Sequence, residues 1–207
     1  ASEAHVAFGV VPPPCHHASA ARASDFCLLN NVAIAVTKLR SEGLASRIAI
    51  ADWDGHPGDG TQAIFDADPD LCYASTHQWP LFPGTGRVEE SGHRAAVGTM
   101  HNRHLPPGAG DDDFAAAWVD DLLPTVEAFE PDAILVSAGY DAHRSDPLAN
   151  LQVTEAGFGA VAHALGAISR RLGLPGVALT LEGGYDLDAL RASAAVTVRG
   201  LLAGRGA

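Results

Sequence analysis

The stretch Ile50-Ala51-Asp52-Trp53-Asp54-Gly55-His56-Pro57-Gly58-Asp59-Gly60 decides how this chain is read. The approach to it, Arg47-Ile48-Ala49-Ile50-Ala51, is apolar and partly β-branched, and predicts a buried strand over 47–52. Asp52, Asp54 and His56 then alternate with other residues, which puts all three on one side if the backbone stays extended. Two carboxylates and an imidazole are unfavourable in an apolar interior unless something charged compensates them. A divalent cation does so most simply; the plainer alternative is a solvated loop with scattered acids. Gly58 and Gly60 allow the chain to reverse where a ligand would sit.

Around this stretch, strands and helices alternate. A helix is predicted over Asn30 to Leu44, with Gly43 placed to stop it, and a short one over 61–67. Strands are predicted at Leu71–Ser75, Ala133–Ser137 and Val177–Leu181. Further helices are expected over 113–129 despite Pro124, over 154–172 with Thr154 as N-cap and Gly173 as stop, and over 187–203. The first 25 residues and the Gly- and Pro-rich run from His77 to Asp112 read mostly as loop. The pattern predicts an α/β fold with a mainly parallel sheet, whose ligands gather beyond the carboxyl ends of the strands. Asp52, Asp54, His56, Asp141 and Tyr185 all fall there.

Composition narrows the function classes. The 207 residues suit one domain, or part of a larger one, and 47% hydrophobic content is ample for a core. A net charge of −12 disfavours nucleic acid and fits a cationic substrate better. No run is long enough to span a membrane, and the start, Ala1-Ser2-Glu3-Ala4-His5, lacks the features of a secretory signal. Cys15, Cys27 and Cys72 suggest no disulfide framework, so the cytoplasm is the default location. Met100 is the only methionine, which leads us to expect a processed, trimmed or partial chain.

Asp54, His56 and Asp141 form a candidate site of two carboxylates and one imidazole, with a coordination position left open for water and substrate. His16-His17 is either a surface pair or a general base, since a carboxylate partner fixes a neutral imidazole's tautomer; Asp52 and Asp59 are available for that role. Tyr185, after Gly183-Gly184, is either a packed tyrosine or a hydroxyl donor to a developing oxyanion. His77, His93, His101, His143 and His163 are read as structural, His143 lying nearest Asp141 in sequence. Asp111-Asp112-Asp113 reads as a solvated helix start.

Taken in order, Cys15-His16-His17-Ala18, Phe26-Cys27-Leu28-Leu29-Asn30-Asn31, Asp52-Trp53-Asp54-Gly55-His56, Phe82-Pro83-Gly84-Thr85-Gly86, Ser137-Ala138-Gly139-Tyr140-Asp141-Ala142-His143 and Leu181-Glu182-Gly183-Gly184-Tyr185 resemble the histone deacetylase superfamily. The resemblance is to its bacterial deacetylase-like and acetylpolyamine amidohydrolase-like members, and runs from about Val11 to the C-terminus. It implies a three-layer αβα, arginase-like fold around one catalytic Zn²⁺, with Fe²⁺ accepted by the same ligands, held by Asp54, His56 and Asp141. It also implies tandem histidines His16 and His17 backed by Asp52 and Asp59, and a transition-state tyrosine, Tyr185. Phe26 and Phe82 match the aromatic walls of an acyl-lysine tunnel, and a structural K⁺ would use the backbone carbonyls of Asp52, Asp54 and His56 together with Ser75.

Residues 1–207 would then be a single deacetylase-like catalytic domain, the C-terminal portion of the full family domain. Without the first strand of the sheet it would expose an edge and tend to self-associate. The expected activity is release of acetate from an acetyl-lysine or acetylpolyamine nitrogen. A catalytically weak or inactive homologue serving as a binding or scaffold module is the alternative, and a two-metal ureohydrolase a third reading. Three departures from the family pattern, Pro57 where a second His is usual and Cys15 and Asp25 where Gly is usual, favour the alternative together with the expected lack of the N-terminal segment; a fourth departure is His104 where Pro is common. Cys15 is expected to be strained if its position needs a positive φ, and His104 to be without consequence.

Overall fold

In the computed structural model, which describes residues 5–11 and 13–207, the buried Ile-Ala-Ile-Ala run lies at the centre of a sheet. Residues 1–4 and Pro12, part of the predicted leading loop, lie outside the described residues. The strands are β1 (Val6–Gly9), β2 (Ile48–Asp52), β3 (Leu71–Gln78), β4 (Met100–Leu105), β5 (Ala133–Ala138) and β6 (Val177–Leu181). Their order across the sheet is β1-β6-β5-β2-β3-β4, and every neighbouring pair is parallel.

The helices are α1 (Asn31–Ser41), α2 (Asp59–Phe65), α3 (Asp111–Ala115), α4 (Leu123–Ala128), α5 (Glu155–Arg171) and α6 (Leu187–Arg205). The period-two alternation of the strands separates them into two layers. Ile48, Ile50, Leu71 and Tyr73 face Val32, Ala33 and Val36 of α1 and Phe65 of α2. Ala49, Ala51, Cys72, Ala74, Ile134 and Val136 face the other way, toward Phe114, Leu123 and Val126, with α5 and α6 alongside. The small residues on that second face leave room for large rings, and Trp53 meets Trp118 edge-on at 6.1 Å. This is the three-layer αβα arrangement with a parallel sheet.

Caps set the helix ends. Asn30 accepts from Ala33 N–H, Thr154 from Ala156 N–H and Asp186 from Ala189 N–H. Helices α5 and α6 pack so closely that a Cβ at Gly204 would collide with the carbonyl of His163. The outer side of α1 is left open: Leu28, Leu29 and Ile34 are exposed and line a groove of about 750 Å³.

Several elements depart from the sequence reading. Val6–Gly9, within the expected leading loop, is a strand on β6, so β6 is not an edge. β3 runs on to Gln78, and β4 lies inside the stretch expected to be loop. The predicted helix over 113–129 is α3 and α4 joined by a π-helical segment, Ala116–Leu122, in which Leu123 N–H reaches back to the Trp118 carbonyl. That change of register sits just before Pro124, which has no N–H to give. The short helix begins at Asp59 rather than 61.

Gly204→Ala should lower unfolding free energy by about 1–3 kcal/mol in urea, because the added methyl must push α6 off α5. An unchanged or raised midpoint would show that the helix pair has slack.

Candidate metal centre and active site

The carboxyl ends of five parallel strands converge at one edge of the sheet, and the loops leaving them carry the candidate residues. Alternation continues past the end of β2 as far as Asp54. Trp53 turns to the second layer, while Asp52 and Asp54 both meet His16, at 3.0 Å from Nδ1 and 3.7 Å from Nε2 respectively. His56 arrives differently from the sequence expectation, because β2 stops at Asp52 and a turn brings the imidazole in. In that turn His56 N–H donates to Asp54 Oδ1 at 2.9 Å.

Asp54, His56 and Asp141 lie together, each offering one ligand atom within 4.8 Å of the others. They are the one such group of three or more among the described residues. His56 Nδ1 is 2.6 Å from Asp141 Oδ2 and 3.2 Å from Asp54 Oδ1. Both acids are almost wholly buried and are held by main-chain donors: Gly183 N–H gives to Asp54 Oδ2 at 2.8 Å, and Gly55 N–H to Asp141 Oδ1 at 2.6 Å. Only glycine fits at 139, where a Cβ would strike the Asp54 carboxylate.

The charges show what the cluster lacks. Burial opposes a proton on His56, but hydrogen bonds to Asp141 and Asp54 and their charges outweigh it and push its pKa up to about 10. Burial first, and then the charge of Asp54, raises Asp141. Asp54 is lowered: burial works against this, and the charge of His16 and the contact with His56 prevail. The raised His56 value expresses the pull of two buried carboxylates on one ring. The donor set fits a divalent cation, which would relieve both acids at once.

The tandem histidines sit above this cluster with rings 4.2 Å apart. His16 Nδ1 pairs with the buried Asp52, which also accepts from Tyr73 Oη at 3.0 Å and Asp54 N–H at 3.3 Å. Burial resists a charge on His16, but Asp52 and Asp54 overcome it and hold its pKa well above the usual imidazole value. His17 Nδ1 pairs with Asp59 at 2.7 Å, leaving Nε2 toward the site. The Phe82 ring stands 5.6 Å from His17, and the Phe26 ring 6.3 Å from that of Tyr185; both phenylalanines are about half exposed. The Tyr185 hydroxyl is pushed up by burial and then by the charges of Asp54, Asp141, Asp25 and Asp146, so it stays a donor.

Four further residues tie the loops of the constellation together; Glu182 and Asp146 were given no role from sequence, His77 was read as structural and His104 as without consequence. Glu182 accepts from the backbone N–H of Cys15 (2.5 Å) and His16 (3.1 Å), and so ties the His16-His17 loop to the end of β6. Asp146 accepts from Tyr185 N–H at 2.7 Å and fixes the tyrosine loop; an Asp before Pro was the available turn signal. His77 and His104 each place Nε2 2.9 Å from the Gly86 carbonyl, anchoring the loop that carries Phe82. Burial drives the His77 pKa down to about 4, so its ring is neutral, donating to Gly86 and accepting from Ser75 Oγ. His104 also stacks flat on Trp79 at 4.4 Å, contrary to the expectation that it is without consequence. His143 is structural: its Nδ1 accepts from Ser145 N–H, and its Nε2 lies 3.5 Å from Glu155.

The expectation of strain at Cys15 is not met, and the positive φ falls at Asp25 instead. Cys15 is absent from the residues with positive φ, so its side chain brings no backbone strain there, and its thiol donates to Glu182 Oε1 at 2.8 Å. Asp25 is the residue in the left-handed region, at φ 49°.

Comparison with known proteins agrees with this geometry. The family model described as "Histone deacetylase domain" matches residues 1–201. The chain is 41% identical to "Histone deacetylase 14, chloroplastic" of Arabidopsis thaliana over 95% of its own length and 47% of the relative's. It is also 41% identical to a "Probable deacetylase" of Archaeoglobus fulgidus, over 90% of this chain and 52% of that one. The crystal structure of acetylpolyamine aminohydrolase from Burkholderia pseudomallei superposes with a TM-score of 0.88 at 38% identity, covering 97% of this chain and 57% of that one. The chain therefore spans about half the length of the relatives it matches. On fold, motifs and similarity together, it belongs to the histone deacetylase family.

Proposed function

We propose that this chain is the catalytic portion of a zinc-dependent amidohydrolase that releases acetate from N-acetylated amines, either acetyl-lysine or an acetylpolyamine. One observation carries the reading: the Asp54–His56–Asp141 donor set lies beside His17, with the two rings 6.0 Å apart, and Asp59 holds the far nitrogen of His17. Asp54, His56 and Asp141 would hold Zn²⁺, or Fe²⁺ with the same donors. When bound, the ion polarises the acetamide carbonyl and makes a coordinated water more acidic.

The chain's own groups do the rest. With Nδ1 directed at Asp59, His17 presents Nε2 to take a proton from water and return it to the leaving nitrogen. His16, kept cationic by Asp52 and Asp54, stabilises the negative charge that develops. Tyr185 donates its hydroxyl to the oxyanion, and Asp146 holds the loop that delivers it. Phe26 and Phe82 offer apolar surface to a methylene stem.

The net charge of −12 supports a cationic carrier for the acetyl group and argues against nucleic acid. Among the described residues no helix is long and apolar enough to cross a membrane; a cytoplasmic setting and self-association are part of the proposal. So is a structural K⁺ on the carbonyls of Asp52, Asp54 and His56 with the buried Ser75.

After zinc loading and dialysis, elemental analysis should find about one equivalent per chain, as expected of a single open site, and Asp141→Ala should lose it. Two equivalents would instead favour the ureohydrolase reading. Tyr185→Phe should lower acetate release from acetyl-lysine or acetylputrescine roughly 10²–10³-fold, by analogy with other oxyanion donors. Near-full activity in that variant would remove the tyrosine from the mechanism. Zinc binding with no acetate release from either substrate would favour the scaffold reading.

A further inference from the structure

Asp25 stands where the family pattern has glycine, and the structure delivers its carboxylate to the reacting side of His17. Ser24 and Cys27 exchange both backbone hydrogen bonds, at 3.2 and 3.0 Å, leaving Asp25-Phe26 as a two-residue turn. Such a turn calls for positive φ, and Asp25 supplies it at 49°, a conformation that Asp tolerates better than most residues. The turn is tethered from below, because His17 N–H donates to Cys27 Sγ at 3.4 Å. Phe26 is thereby set beside Tyr185, and Asp25 Oδ2 lies 3.8 Å from His17 Nε2. His17 is flanked by two carboxylates, Asp59 on its outer nitrogen and Asp25 on its inner one. Asp25 is about one-third exposed, and among the described residues its carboxylate pairs with no lysine or arginine.

The chemistry at that nitrogen creates a cation. As the amide C–N bond breaks, the proton His17 took from water passes to the leaving nitrogen. A second proton, from the hydroxyl that becomes part of acetate, follows, so the products are acetate and an ammonium ion. Among the described residues, Asp25 is the one carboxylate paired with His17 Nε2, and it lies outside the metal ligand set. We propose that Asp25 makes the amine side of the site a cation-binding subsite, its carboxylate holding the ammonium of the released amine beside His17. The inference rests on the hydrolase reading for its ligand and deepens it: the favoured products are primary alkylammonium ions, and the enzyme is inhibited by them.

The test is binding of n-butylammonium to the zinc-loaded chain by calorimetry, with butan-1-ol as a neutral probe of the same shape. Asp25→Asn keeps the side-chain size and tolerates the left-handed turn, while Asp25→Gly keeps the backbone freedom. Both variants should bind n-butylammonium about tenfold more weakly, the loss expected of one charge-assisted contact, with butan-1-ol unchanged. Equal n-butylammonium affinity in wild type and Asp25→Asn would overturn the inference. So would parallel loss of both probes, since site shape and not charge would then do the binding. Acetate release combined with amine binding that ignores Asp25 sinks this inference alone. Asp25-dependent amine binding without acetate release from any acetylated amine sinks the hydrolase reading and leaves the subsite standing.

Discussion

Three carboxylates, Asp52, Asp54 and Asp141, lie at 0–2% exposure at the end of an apolar sheet, and the site depends on how they are kept there. Each would be strongly destabilising if left unpaired. Main-chain N–H groups, a tyrosine hydroxyl and two imidazoles reach all six of their oxygens, yet three negative charges remain to be balanced. The raised values of His56 and His16 express that shortfall, since both rings collect protons against the tendency of burial. A cation in the cluster removes the need for one of those protons. If the cluster holds the proposed ion, metal binding and the stability of this corner of the fold are coupled through the same oxygens.

The parallel sheet solves the positioning. Because every strand runs the same way, the loops after β1, β2, β3, β5 and β6 all open on one edge. They bring the histidines, the ligands, Phe82, Asp141 and Tyr185 to one place. Cross-links between loops then remove slack: Glu182 holds the His16-His17 loop, Asp146 the tyrosine loop, and His77 with His104 the Phe82 loop. None of these cross-linking groups needs to touch a substrate. On the proposed function, their effect would be to keep the reacting groups in register without an ordering cost during turnover.

How far this was legible in the sequence depended on polarity. β2, β5 and β6 are apolar runs at the centre of the sheet and read plainly as strands. β4, Met-His-Asn-Arg-His-Leu, lies at an edge with only its ends and Asn102 buried, so it carries no apolar run. The far half of β3, Ser-Thr-His-Gln, is buried but polar because it lies under the hydrogen-bonded site. β1 is four residues long and ends in glycine, too short for any periodicity to register. The candidate residues that the structure gathers at the strand ends were legible because motif order carried them. Glu182, Asp146 and Tyr73 were not, since what marks them is contact across 167, 39 and 21 positions of chain.

The four departures from the family pattern argue about whether the site is decaying or adapted. In the turn after β2, the N–H groups of Asp54, Gly55, His56, Gly58 and Asp59 all donate, to Asp52, Asp141, Asp54, Tyr73 and Pro57 respectively. Pro57 has no N–H to give, and the N–H groups on either side of it all find acceptors, so proline leaves no donor unpaired in this turn. Cys15 keeps an ordinary backbone and turns its thiol onto Glu182. His104 gives the Gly86 carbonyl a second donor that proline cannot supply. Asp25 accepts the left-handed turn that glycine would otherwise fill and adds a charge beside His17. Random loss of function leaves buried groups without partners, whereas each of these substitutions acquires a partner or sits where none is required. That pattern fits the proposed working site with altered preferences better than a scaffold that has shed its chemistry.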